Sequence, residues 1–233
     1  MASIIEAVEN VVQDKHSFIK CVFYAIPVVG AYKLFSIGNM PMFYFLSVVT
    51  ILMLMTIVIK VFRNIRENNN AVLPSFNLFT FIWSAFKLIF ALGPITALCI
   101  WGGIKLTQIQ IPIPLPNMQI IYSVIVWLIL GGIIVTALIL YSKKESLKDA
   151  YNLKLISDNC ISVLFALLLY IPQIAILNGL LIGSVVYLLY VFKQPMDHIA
   201  LIIVSALSIC ASAAITGDYF AQIDYEATFD KNS

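Results

Sequence analysis

The sequence predicts an all-α integral membrane protein with six or seven transmembrane helices and additional interfacial amphipathic helices. Three observations carry that prediction. First, 61% of the 233 residues are hydrophobic and only 11% are charged, with a mean hydropathy of +0.97. A soluble domain runs near 45–50% apolar and about 25% charged. Second, several apolar runs reach spanning length, for which about 20 residues suffice. Third, an apolar pattern bearing a proline recurs as FYAIPVVG (23–30), FALGPITA (90–97) and LLYIPQIA (168–175). Proline lacks a backbone donor and clashes with the preceding turn. Three such insertions, each following an amphipathic stretch, suggest one building unit used three times.

The first element is SIIEAVENVVQD (3–14). Ile4, Ile5, Val8, Val11 and Val12 share one face of a helix, and Glu6, Glu9, Asn10 and Gln13 share the other. Ser3 with Glu6 makes a capping-box pattern. The stretch is too short and too charged to span, and is expected to lie at the interface. A proline-bent span follows over 18–35, then a tight turn at SIGNMP (36–41) and a second span over 42–62. That span ends in KVFRNIRENNN, whose Lys60, Arg63 and Arg66 mark a cytoplasmic end and are candidate lipid-headgroup contacts.

The second unit opens with SFNLFTFIWSAFKL (75–88). Phe76, Phe79, Phe81, Trp83 and Phe86 suit an interfacial helix. A span over 88–104 contains Pro94. KLTQIQIPIPLPN (105–117) cannot be helical with three alternating prolines and is expected to form an extended outer loop. The next span, 118–141, ends in YSKKESLKD, cytoplasmic by Lys143, Lys144 and Lys148, the first two being candidate headgroup contacts.

The third unit begins with ESLKDAYNLKLIS (145–157), again amphipathic. A continuous apolar run over 160–192 follows, interrupted by Pro172, Asn178 and Gly179. One straight helix of that length would be about 50 Å long, beyond the roughly 30 Å hydrocarbon core. The expectation is that it breaks, either into two spans or into one span and a re-entrant or interfacial piece. The last span covers 199–216. GDYFAQIDYEATFDKNS (217–233) reads as a short, solvated acidic tail. The chain is therefore one polytopic domain with candidate repeats 1–66, 75–144 and 145–226. With six spans both termini are cytoplasmic.

The chemistry of the sequence is sparse. Cys21, Cys99, Cys160 and Cys210 lie far apart in apolar sequence, without zinc spacing. No HExxH, GxSxG or P-loop is present. His16 and His198 read as interfacial residues. The formal net charge of +2 and the lack of a basic tract give no support for nucleic acid. No cofactor, metal or catalytic residue is expected, and the chain reads as a non-enzyme. Lys20, Lys33 and Lys87 are expected to snorkel. No carboxylate lies mid-span before Asp218, which argues against a proton-coupled pump.

The candidate hinge or pathway residues are Pro27, Pro94, Pro172, Gln173 and Asn178. Backbone groups freed by proline need protein or water partners in a bilayer. The bent helices are therefore expected to face the bundle. Gln173 and Asn178 either satisfy the freed backbone or line a polar path. Two function classes follow. One is an accessory or scaffold subunit that binds membrane lipids, other membrane subunits or a second copy. The alternative is a transporter or channel for a small solute or lipid, built near the broken helices.

Three segments carry a resemblance: IRENNNAVLPSFNLFTFIWSAFKL (65–88), SLKDAYNLKLI (146–156) and GDYFAQIDYE (217–226). The first combines a basic turn, Leu-Pro and an aromatic helix. The last contains Tyr219, Ala221, Gln222 and Tyr225 in a closing Tyr-x-Ala-Gln-x-x-Tyr element. Together they resemble the uncharacterised prokaryotic membrane proteins of domain-of-unknown-function family 4013. That family is itself similar in layout to the membrane domain attached to some glycerophosphodiester phosphodiesterases. The resemblance implies a polytopic fold and transfers no catalytic residue, and the chain is expected in the cytoplasmic or an equivalent membrane.

Overall fold

The computed structural model describes residues 2–69, 71–75, 77–109, 118–195 and 199–229, without the side chains of 78 and 225–229. Helix is the only regular structure among them, as expected where every spanning backbone donor must find an acceptor within its own segment. The elements are α1 (Ile4–Gln13), α2 (Ser17–Ser36), α3 (Met40–Arg66), α4 (Leu78–Thr107), α5 (Met118–Lys144), α6 (Leu147–Ala150), α7 (Leu153–Val191) and α8 (Ile199–Phe229). Six are long and apolar enough to cross a membrane: Ser17–Ser36, Met40–Arg66, Phe79–Thr107, Met118–Lys144, Leu153–Val191 and Ile199–Asp224. The protein is thus an all-α polytopic membrane protein.

The chain divides into two compact units. Unit 1 comprises residues 1–85 and 170–233, and unit 2 comprises 86–169. In unit 1, α3 packs against α8 and α2, and α2 also packs against α8. Ile57, Val61, Phe62, Tyr24, Cys210 and Ala214 fill the core. Gly217 lets α8 approach α3 closely, since a Cβ there would lie 2.5 Å from the Val58 carbonyl oxygen. The α2–α3 turn falls where the sequence places it. Gly38 takes a φ of +75°, and the Asn39 side chain accepts from the Met42 N–H at 3.4 Å.

α1 sits against α8. Ser3 caps it by accepting from the Glu6 N–H, and the Ser3 N–H donates to Gln222 Oε1 at 2.7 Å. Ala7 and Val11 are buried, while Ile5 and Val12 stay exposed. The apolar face is wider than one contact can use. Part of it covers the bundle, and part is left for lipid beside the wet Glu6–Glu9–Gln13 face.

In unit 2, Gly103 of α4 faces Trp127 of α5, whose ring would lie 2.7 Å from an added Cβ. Gly132 of α5 faces Leu164 and Cys160 of α7.

Four expectations change. The run over 160–192 does not break: α7 is one helix of 39 residues, about 58 Å long, that passes through Pro172. A proline deletes one backbone bond and membrane helices tolerate it. Its ends carry residue types suited to an interface, Lys154, Asp158 and Asn159 at one and exposed Tyr187 and Tyr190 at the other. The aromatic stretch 75–88 is not a separate interfacial helix but largely the start of α4. Phe79, Trp83 and Phe86 are exposed, whereas Phe81 is buried against Tyr24, ring centroids 5.8 Å apart. The stretch 145–157 splits at Tyr151 and Asn152 into α6 and the start of α7. The acidic stretch 217–233 is not a solvated tail over its first part. α8 continues through it to Phe229, with Asp218 and Asp224 buried. The prolines of 105–117 and His198 lie outside the described residues.

Candidate functional site

In unit 1, the part of α7 from residue 170 onward and α8 build a polar ladder between spans. On α8, Ser208, Ser212 and Thr216 recur every fourth residue and so share a face. On α7, Tyr170 and Asn178 stand opposite. Asn178 Nδ2 donates to the Ile174 carbonyl at 2.8 Å and to Ser212 Oγ at 2.9 Å. Its Oδ1 accepts from Ser212 at 3.1 Å and from Ser208. The Tyr170 and Thr216 hydroxyls are 2.6 Å apart, and Thr216 back-bonds to the Ser212 carbonyl. Tyr170 also stacks on Tyr219 with ring centroids 4.7 Å apart. Both atoms of the Asn178 amide are therefore engaged, and the ladder joins two helices rather than lining an open path.

Gln173 is not part of this ladder. It is exposed on α7 and makes no hydrogen bond with a described residue. Asn178 bonds the Ile174 carbonyl and not that of Leu168, the group that Pro172 leaves without its N–H donor. The pair singled out in the sequence is thus separated.

The bent helices are expected to face the bundle, yet two of their three prolines are exposed. Pro27 is half-buried, while Pro94 and Pro172 are exposed. The freed groups explain how exposure is tolerated at Pro94. Its missing N–H would have met the Phe90 carbonyl four residues earlier, and the Tyr151 hydroxyl donates to that carbonyl instead. A groove of about 400 Å³ opens beside Pro27 between α2 and α3, lined by Val28, Tyr32, Phe35, Phe43 and Ile51 among others.

Three of the five candidate headgroup contacts, Lys60, Arg63 and Arg66, meet partners within the chain. The Lys60 ammonium stands 4.6 Å from the Phe81 ring centroid. Arg63 pairs with Glu67 at 3.3 Å, and Arg66 with Asp224 at 3.2 Å. Lys143 is half-buried and Lys144 exposed. Two of the three lysines expected to snorkel are instead paired: Lys20 with Asp14 at 2.7 Å and Lys87 with Glu145 at 3.2 Å. Lys33 is exposed near the end of α2.

Sequence reasoning missed the roles of three carboxylates, Asp224 with its Arg66 pair and two more. Asp14, assigned no role, is a clamp. Its Oδ1 accepts from the Val72 N–H at 3.0 Å, and its Oδ2 accepts from the Leu73 N–H at 3.3 Å and from Lys20. Lys20 also donates to the Leu73 carbonyl at 2.8 Å, Asn64 Nδ2 to the Val72 carbonyl at 2.9 Å, and Tyr24 to the Pro74 carbonyl. Four side chains thus satisfy the backbone of one loop. Asp218, fully buried, accepts from Asn10 at 3.0 Å and from Gln222 at 2.8 Å, tying α1 to α8. The one local signal was spacing. Asp218 and Gln222 stand four apart on a helix, whereas Asp14 lies six residues before Lys20, outside its helix.

No family model matches this chain, and no curated protein or solved structure matches it.

Proposed function

We propose that this membrane protein is a non-enzymatic accessory or scaffold subunit that acts by binding other membrane proteins or lipids. The observation that carries the reading is the closed ladder of α7 and α8. Asn178, the most path-like polar residue within a span, has both amide atoms bonded to neighbouring helical groups. A polar network spent on joining helices fixes architecture and leaves little to select a solute. The span surfaces are broadly apolar, with Phe165, Leu180, Ile125 and Trp101 among many exposed side chains.

The orientation is part of this proposal. Arg63 and Arg66 end α3, and Lys143 and Lys144 end α5, so those ends are cytoplasmic. The bond between Ser3 and Gln222 supports both termini lying on that same side. Membership of the resembled family rests on the three quoted segments and belongs to the proposal too.

Affinity purification in mild detergent, followed by mass spectrometry, tests the reading. A stoichiometric protein partner supports it, and a protein recovered without protein or lipid overturns it. A second reading, transport of a lipid or apolar solute, draws on the apolar groove beside Pro27. A lipid retained there, and lost on substituting Tyr32 or Phe43 by serine, favours that reading.

A further inference from the structure

A lipid-facing helix surface carries no penalty while it is apolar. One amide breaks that rule here. Gln173 lies within a turn of the midpoint of α7, among residues 160–191 that include no charged side chain. It is exposed and has no hydrogen bond with a described residue. The face of α7 toward α8 is already occupied through Tyr170 and Asn178. At 100° per residue, Gln173 stands about 140° round the helix from Asn178 and about 60° from Tyr170, on the flank of that face. It shares that flank with Ile176, Leu180, Gly183 and Tyr187, spaced as the seam of a helix pair. Ile176 is 63% exposed, Leu180 66% and Tyr187 66%, and nothing lies within 4 Å of where a Cβ on Gly183 would stand.

We propose that this face of α7 binds a second copy of the chain, with the two Gln173 amides hydrogen-bonded to each other across a two-fold axis. An amide in hydrocarbon without a partner is costly, and polar side chains there bond across helices. The occupant follows from the chemistry of the face. The amide donates and accepts, so it is its own complement. A parallel copy presents a second Gln173 at the same depth by symmetry. A different partner has to supply a matching polar group at that depth by coincidence. The absence of charge over 160–191 means that identical faces meet without like-charge repulsion. Gly183 allows close approach of two backbones beside the amides, but the glycine is an accompaniment and the amide carries the argument. The proposal refines the scaffold reading and stands on membrane insertion alone.

The test uses full-length protein labelled with donor or acceptor dyes and reconstituted in phosphatidylcholine vesicles. Energy transfer is followed as the protein-to-lipid ratio is lowered. The expected result is a dimer that dissociates on dilution. Gln173→Leu weakens association by about three- to thirtyfold, the range spanned by interhelical hydrogen bonds in membranes. Gln173→Asn recovers part of it, and helicity and thermal stability at dilutions where the protein is monomeric are unchanged, because the Gln173 side chain bonds no described residue. A protein that stays monomeric at every ratio overturns the proposal. So does a dimer whose association is the same in Gln173→Leu. Either failure leaves co-purification as an independent test of the accessory role.

Discussion

Asp14→Ala isolates the clamp on the loop before α4. The carboxylate side chain is fully buried, and Lys20 is 18% exposed. It accepts three hydrogen bonds, from Lys20 and from the Val72 and Leu73 N–H groups. Its removal leaves two backbone donors unmet and strips an ammonium of its counter-charge. Breaking one side of a buried pair costs about 3–5 kcal/mol. Lys20 keeps the Leu73 carbonyl and reaches water, so the lower end, about 3 kcal/mol, is the expected loss. Local opening at that cost lowers amide protection by roughly 100-fold. Hydrogen exchange at Val72 and Leu73, in lipid nanodiscs, reads it directly. In Asp14→Ala/Lys20→Met the ammonium is gone as well. The double change is expected to cost about 1–2 kcal/mol less than the sum of the single ones. Protection of Val72 and Leu73 that changes less than about threefold in folded Asp14→Ala would refute the clamp.

Three further perturbations follow from the same geometry. Gly217→Ala places a Cβ 2.5 Å from the Val58 carbonyl oxygen, a backbone atom that cannot turn aside. It is expected to cost about 1–3 kcal/mol in detergent unfolding, whereas Gly131→Ala, which meets nothing within 4 Å, is neutral or stabilising by up to about 1 kcal/mol. Asn178→Leu strips the ladder of its central amide. It should lower stability by about 1–2 kcal/mol in the same titration, and an unchanged midpoint would mean that Ser208 and Ser212 need only their own helix. Tyr151→Phe uncaps the Phe90 carbonyl beneath Pro94 and is expected to cost about 0.5–1.5 kcal/mol. In a Pro94→Ala background the restored N–H takes that carbonyl and the cost of Tyr151→Phe disappears.

The spans were legible because hydropathy and length are local properties. The turn at 36–41 was legible because Gly38, Asn39 and Pro41 are residue types whose own chemistry favours turns and caps. The basic ends were legible for the same reason. What failed was of two kinds. Helix continuity over 160–192 failed because the length of the run was set against the hydrocarbon thickness, whereas a helix longer than the core can tilt or extend past it and a bilayer holds a helix together around the single bond missing at Pro172. The roles of Asp14, Lys20, Asp218 and Asp224 failed because each depends on partners distant in sequence. Asn10 is 208 residues from Asp218, and Val72 is 58 from Asp14. A charge at the edge of a span reads as snorkelling or solvation until the fold brings its partner to it.

That difference also separates the inward polar groups from Gln173. Asp14 ends at Lys20, Asp224 at Arg66, Asp218 at Asn10 and Gln222, and Asn178 at Ser212. In each case a polar side chain near or within a span meets its complement inside unit 1. Burial then carries no large penalty, because every hydrogen-bonding atom lost to water is regained. Among the described residues no buried side-chain nitrogen or oxygen lacks a partner. A chain that resolves its interior so completely sets a standard for its surface. Under that standard an unbonded amide halfway along α7 is a contact awaiting its complement, and the cheapest complement available in a membrane full of identical chains is the same amide.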